Sequence, residues 1–349
     1  MPSNGTINFA ILGAGMIADY YRQAIAANEG KGARLAAIGH YNPSRFDEIS
    51  QQFGVPCRSY AEILNDPDIS AVCIATPSGH HASQAIAAAH TGKHVLVEKP
   101  MALSLADADN IIAACQKRGV RLGVALQRRV EPLFRRVYDA IRGGDLGEIT
   151  LASVTMPYMR GEAYYAQADW RGTWELDGGG VLMNQGIHII DLLVWFLGDP
   201  VEVHSFAATG RRTVEVENTA AAVLRFESGA MASLTGTITA APGFPHRLEI
   251  YGTNGGIQIE GESVLRWTLN DPSLATVEPW PLATEQVDAG MAGDPKGIGA
   301  SGHIAILGDF IDAVRKGVNP AIDGKEGRRS LAAVLAVYDN AGLQRGKTK

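Results

Sequence analysis

Ile7-Asn8-Phe9-Ala10-Ile11-Leu12-Gly13-Ala14-Gly15-Met16-Ile17-Ala18 sets the architecture of the first half of the chain. A mostly apolar run of strand length meets a G-x-G-x-x-A turn, and residues 19–28 beyond it can form a helix. Gly13 permits the turn, Gly15 lets a pyrophosphate approach the backbone, and Ala18 allows the helix to pack closely on the strand. The helix N-terminus offers unpaired N–H groups and a favourable dipole to phosphates, with Met16 and Ile17 of the turn as further candidate contacts. The stretch therefore predicts a dinucleotide-binding strand–helix unit.

Working outward, a second strand over 34–38 runs into Gly39-His40-Tyr41-Asn42, where an acidic residue would ordinarily hold the ribose hydroxyls of NAD. No carboxylate stands there to repel a 2′-phosphate, and His40, Ser44 and Arg45 lie at that corner, so NADP is slightly favoured over NAD. The plainer alternative is that His40 and Tyr41 only flank the adenine. A third strand over 69–75 leads into Thr76-Pro77-Ser78-Gly79-His80-His81, a loop suited to pass beside a nicotinamide ribose through Thr76, Pro77 and His80. Adjacent histidines on a helix do not share a face and have no carboxylate nearby, so no metal is expected.

Val95-Leu96-Val97-Glu98-Lys99-Pro100 then reads as a buried parallel strand carrying Glu98 and Lys99 at its carboxyl end, where open α/β sheets place ligands. Pro100 restricts Lys99 and fixes the direction in which the chain leaves. Lys99 can donate a proton, bind an oxyanion, or pair with Glu98; its place after a dinucleotide fingerprint favours a role at a site. A helix over 105–118 and a strand over 121–126 follow, so strands and helices alternate six times, the signature of a parallel, doubly wound sheet. Gln127 leaves the last strand at the ligand end.

Beyond Gln127 the pattern changes. A helix is expected to about Arg142, with Arg128, Arg129, Arg135 and Arg136 on a solvated face. Alternating strands over 148–159, 221–226, 230–238, 248–251 and 257–260, joined by Glu227-Ser228-Gly229 and Thr253-Asn254-Gly255-Gly256, predict an antiparallel sheet. The expected organisation is a Rossmann α/β domain over 1–125 and an α+β domain with an open, mainly antiparallel sheet over 126–349. Helices over 304–316 and 326–340 can pack on either domain. Within the second half, Gly178-Gly179-Gly180 precedes a helix whose Asn184, His188 and Asp191 fall on one face. A core helix has no need of three aligned polar groups, and the glycines would let the backbone come close to a ligand. His188 has a suitable unperturbed pKa for proton transfer near neutrality.

Composition excludes several classes. A net charge of −6 argues against nucleic acid or an anionic membrane as partner. Three widely spaced cysteines without a C-x-x-C pair argue against a disulfide framework. No apolar run reaches the roughly 18 residues of a membrane span, and no signal-peptide pattern opens the chain. A cytoplasmic enzyme or binding protein is expected.

The glycine turn, Glu98-Lys99-Pro100 and the Gly-Gly-Gly…Asn184-x-x-x-His188-x-x-Asp191 helix together resemble the glucose–fructose oxidoreductase / inositol dehydrogenase / MocA family. The likeness covers nearly the whole chain. It implies nicotinamide-dependent oxidation of a sugar or cyclitol hydroxyl, and a second-domain sheet whose flat face makes a homodimer or homotetramer. Lys99 would be the catalytic or substrate-orienting lysine and His188 the acid/base. Asn184 stands where inositol dehydrogenases carry an aspartate, and an amide cannot take a proton. Met183-Asn184-Gln185-Gly186-Ile187-His188 is similar to members acting on nucleotide-sugar uronates or other glycosides at the 3-hydroxyl. On this reading Asn184, Gln127, Tyr164, Arg171, Trp174 and Asp191 orient the substrate, with packing the alternative for Trp170 and Trp174. Residues 211–218 and 280–302 are further candidates for shaping the pocket. Two other readings keep the fold: an aldehyde or dihydrodiol reductase, and a dinucleotide-binding sensor without turnover.

Overall fold

In a computed structural model, the protein is described over residues 5–210, 213–283 and 299–343. Most of 280–302 and the first two residues of 211–218 thus lie outside the described residues. Two compact units emerge, Met1–Gln127 with Gly299–Leu331, and Arg128–Ile298 with Ala332–Lys349.

The first unit runs β1 (Ile7–Leu12), α1 (Met16–Ala27), β2 (Ala33–Gly39), α2 (Phe46–Phe53), β3 (Cys57–Arg58), α3 (Tyr60–Asn65), β4 (Ala71–Ile74), α4 (His81–His90), β5 (His94–Glu98), α5 (Leu105–Arg118) and β6 (Leu122–Ala125). Its strands form one parallel sheet in the order β3-β2-β1-β4-β5-β6. The order reverses at β1, so the loops leaving β1 and β4 diverge there, at the switch point where such sheets bind ligands. Every residue of β4 and β6 is buried, because helices cover both faces; this is why they read as unbroken apolar runs rather than alternations.

The second unit runs α6 (Pro132–Gly143), β7 (Ile149–Pro157), α7 (Glu162–Tyr165), a π-helical turn (Val181–Gly186), α8 (Ile187–Leu197), then β8 (Pro200–Ala208), β9 (Thr219–Phe226), β10 (Met231–Thr237), β11 (Arg247–Gly252), β12 (Gly255–Glu260) and β13 (Ser263–Leu269). The sheet order is β13-β12-β11-β7-β10-β9-β8. It is mixed: β7 and β10 run parallel, and every other neighbouring pair is antiparallel. Strict alternation along β9 buries Ala220, Ala222, Leu224 and Phe226 on one face and exposes the other. Val181 and Leu182 of the π turn lie against that buried face, close to Gly236 and Met156. Late in the chain, α9 (Ser301–Lys316) groups with the first unit, and the division between units falls within α10 (Gly324–Asn340). Among the described residues no helix is long and apolar enough to cross a membrane.

Candidate active site

In the first unit the site is built on the carboxyl ends of β1, β4 and β5. Gly13 has φ +105°, and a Cβ there would sit 2.5 Å from the carbonyl oxygen of Ala75. The turn is therefore pinned against the exit of β4 and admits only glycine. Gly15 differs: a Cβ on it would meet nothing within 4 Å, and α1 begins behind it without any side-chain cap. First-turn N–H groups that face open space and lack a cap are what a bound phosphate requires. Met16 is exposed and Ala18 is buried. At the end of β2, the Asn42 N–H donates to His40 Nδ1 at 3.1 Å, and the Tyr41 ring lies 4.5 Å from the His40 ring and is exposed. Arg45 donates to both oxygens of Glu48, at 3.2 and 2.9 Å. These residues fit a dinucleotide.

The β4 and β5 loops are joined by a residue that sequence reasoning set aside. His81 is buried, with Nδ1 2.8 Å from the Pro100 carbonyl and Nε2 2.9 Å from the Thr76 carbonyl; burial lowers its pKa, so the neutral ring donates to one of the two and packs between the Thr76-Pro77 loop and Glu98-Lys99-Pro100. Its neighbour His80 is exposed. Thr76 Oγ1 donates to Gln84 at 2.7 Å. Glu98 is buried and meets His303 Nε2 of α9 at 2.9 Å, while its other oxygen accepts the Lys99 backbone N–H at 3.3 Å. Burial pushes the Glu98 carboxyl up, but the His303 hydrogen bond and the charges of His303 and Lys99 outweigh it and hold the group below the usual range. Glu98 is thus an ionised anchor beneath the half-buried Lys99. Gln127 is buried too, with its amide oxygen unpartnered and its Cβ region packed on Gly302.

The second unit holds the polar helix. Asn184 and His188 are half-buried, Asn184 in the π turn and His188 in the first turn of α8. A π turn within a helix opens the backbone, and such turns recur at functional sites. Glu217 maintains this one: its carboxylate accepts the Gly180 and Leu182 N–H groups at 2.7 and 2.9 Å and the Tyr338 hydroxyl at 2.8 Å. Burial raises the Glu217 pKa to about 7 against the pull of those three donors. The glycines preceding the helix serve this packing: a Cβ on Gly180 would lie 1.7 Å from the Glu217 carbonyl, and one on Gly179 2.3 Å from the Tyr338 hydroxyl. Room for a ligand, the expectation from sequence, is not what these two glycines provide.

Asn184 Nδ2 donates to Asp177, whose other oxygen accepts the Gly172 N–H at 2.8 Å. A carboxylate therefore stands behind the amide after all, supplied seven residues earlier. Arg171 donates to the Tyr164 hydroxyl at 2.7 Å and lies over the Tyr164 and Trp170 rings. Trp174 meets the Tyr338 ring edge-on at 5.6 Å. Asp191 departs from the expected group: it is buried in a two-bond pair with Arg129, at 2.8 and 2.6 Å. Arg129, read as solvated, is buried for the same reason, since a carboxylate on the apolar side of α8 needs a cation. Arg160, Asp177, Glu217 and His303 were not singled out from sequence: Glu217 and His303 meet partners 35 to 205 residues away, and Arg160 and Asp177 lie in irregular segments without a periodic pattern. Among the described residues no three His, Cys, Asp or Glu side chains are grouped to hold a metal ion.

Residues 7–126 match the model of the oxidoreductase family with an NAD-binding Rossmann fold, and residues 134–258 match that of the GFO/IDH/MocA C-terminal domain. The oxidoreductase YrbE of Bacillus subtilis is 31% identical over 70% of this chain and 71% of its own. Myo-inositol 2-dehydrogenase of Thermotoga maritima is 27% identical over 86% of each. The WlbA dehydrogenase of Bordetella pertussis, solved with NADH and UDP-GlcNAcA, superposes with a TM-score of 0.84 at 32% identity, covering 97% of both chains.

Proposed function

Because this chain belongs to the GFO/IDH/MocA family of NAD-dependent sugar and cyclitol oxidoreductases, we propose that it interconverts a secondary alcohol and a ketone on a pyranose or cyclitol, with Lys99 and His188 as its catalytic residues. The observation that carries the reading is the combination of an uncapped, open helix start at Gly15 with a π-opened helix bearing Asn184 and His188.

The nicotinamide supplies the hydride acceptor or donor when bound. In the oxidative direction an imidazole nitrogen of His188 takes the hydroxyl proton, and Lys99 Nζ donates to the oxygen as it becomes a carbonyl. His81 packs between the Lys99 loop and the Thr76 loop, and Glu98 accepts the Lys99 backbone N–H, which fixes the chain from which the lysine side chain projects. Asp177 fixes the Asn184 amide so that it can orient a substrate hydroxyl. Gly15, Met16 and Ile17 would hold the pyrophosphate, His40 would flank the adenosine, and Thr76 and Pro77 would adjoin the nicotinamide ribose. We infer NAD as the coenzyme, against the slight sequence preference for NADP, because Arg45 already carries the Glu48 carboxylate.

Lys99→Ala should lower kcat by about a hundredfold or more with the coenzyme Kd unchanged. Absorbance near roughly 340 nm, where reduced nicotinamide absorbs, with a panel of sugars, nucleotide sugars and inositols measures it. Full activity in that variant would sink the mechanism. We also infer a homo-oligomer through the outer sheet face, where exposed Leu151 pairs in register with exposed Met231, and Val223 and Phe206 are also exposed. Light scattering giving a monomer mass would refute it. Three buried free thiols suit a reducing compartment, and the cytoplasm is the location we infer.

A further inference from the structure

We propose that Arg160 and Arg171 form an anion-binding site in the second unit, and that the sugar this enzyme takes carries a carboxylate or phosphate group. The kind of molecule rests on the dehydrogenase reading; the anion site stands on its own geometry.

Arg160 follows β7 and is 9% exposed. Its Nη1 donates to the neighbouring Met159 carbonyl at 2.9 Å, and its buried Nε–H has no acceptor. Arg171 Nη1 donates to the Tyr164 hydroxyl, and its buried Nε–H likewise has none. Neither guanidinium has a carboxylate partner among the described residues. Both cations lie against one ring: Arg160 Cζ is 5.5 Å and Arg171 Cζ 4.4 Å from the centroid of Tyr164. Both Asp177 oxygens are engaged, by the Gly172 N–H and the Asn184 amide.

The same unit shows what a purely structural buried arginine looks like. Arg129 is pinned through two bonds to Asp191 and is fully compensated. Removing a charge from water without a counterion is costly, and stacking on an aromatic ring recovers only part of that cost. Asp177 supplies negative charge nearby, but its oxygens are taken by neutral donors and reach neither guanidinium, so each arginine keeps an idle N–H for an incoming oxyanion. Their fork geometry suits an oxyanion taken by two donors, and Trp170 and Tyr164 beside them suit the apolar C–H face of a sugar ring.

The test is calorimetric titration of the NADH-loaded full-length protein with matched ligands: glucuronate against glucose, glucose 6-phosphate against glucose, and UDP-glucuronate against UDP-glucose. The charged member of at least one pair should bind about 30-fold more tightly. Preference in the first and third pairs assigns a carboxylate, and preference in the second alone a phosphate. In Arg160→Met and in Arg171→Met the ratio should fall below about threefold, with NADH affinity retained, and Arg160→Lys should keep more of it than Arg160→Met. Equal binding within every pair, no binding of any ligand, or a ratio surviving both Met variants would overturn the proposal. If Arg160→Met loses NADH binding through misfolding, the partly exposed Arg171→Met decides. Parallel turnover separates the two readings. Tight acid binding without nicotinamide reduction defeats the dehydrogenase and spares the anion site; equal turnover of charged and neutral sugars does the reverse.

Discussion

Two glycine clusters, Gly13/Gly15 in the first unit and Gly178–Gly180 in the second, look alike in sequence and do opposite things. Above Gly15 there is open space, bounded by the uncapped start of α1. Above Gly179 and Gly180 the space is filled by the chain itself, by Tyr338 and the Glu217 backbone. A glycine cluster at a helix start thus marks a close approach without saying what approaches. Only when the partner is absent from the protein does it mark a ligand.

Alanine substitution breaks the comparison most sharply. Gly180→Ala places Cβ 1.7 Å from a backbone oxygen that cannot rotate away, so it should destabilise by about 3 kcal/mol or more, read as a large fall in Tm. Gly15→Ala has φ −89° and no neighbour to strike, so Tm should stay within a few degrees while the NAD Kd rises about tenfold or more. Equal losses of Tm in the two variants would erase the distinction.

Glu217 sharpens it next, by making the filled cluster sensitive to pH. Its pKa is raised in the folded state from 4.5 to about 7, so between those values the folded protein binds the extra proton. Stability therefore falls as pH rises from about 4.5 through about 7, by about 3 kcal/mol for a shift of this size, and is level above. Glu217→Gln removes the titration and should flatten Tm between pH 5 and 8, while leaving the Gly180 or the Leu182 N–H without its acceptor. A parent Tm that rises across this window would contradict the assignment.

The two units also differ in how far their sequences disclose them. The first unit was legible because its strands and turns are local: β1, β4 and β5 are continuous apolar runs, and the glycine turn and Glu98-Lys99-Pro100 are short motifs. β3 escaped because two residues carry no periodicity, and β8 because its outward Val201 and Phe206 are apolar. The parallel pairing of β10 with β7 is a long-range register that hairpin turns do not encode. Among side chains, His188 and Lys99 stood out by chemistry within a motif. His303 meets Glu98 across 205 residues and Arg129 meets Asp191 across 62, so their burial depends on contacts with no local trace.

The smallest effect lies beyond the end of β2. Arg45 and Glu48 are an exposed i,i+3 pair; the arginine holds the Glu48 carboxyl below its usual pKa, with no consequence for stability at that degree of exposure. The pair matters through what Arg45 is kept from doing. With Glu48→Gln the carboxylate is gone, the guanidinium can turn to a 2′-phosphate, and there is no acidic residue at the end of β2 to oppose it. The ratio of kcat/KM for NADP to that for NAD should rise about three- to fivefold, with NAD itself little changed, since contacts between exposed charges are weak. Steady-state kinetics with both coenzymes at low ionic strength measures it, and the gain should shrink in high salt as screening sets in. An unchanged ratio would mean that Arg45 does not reach the ribose, and that coenzyme choice rests on His40 and Tyr41 alone.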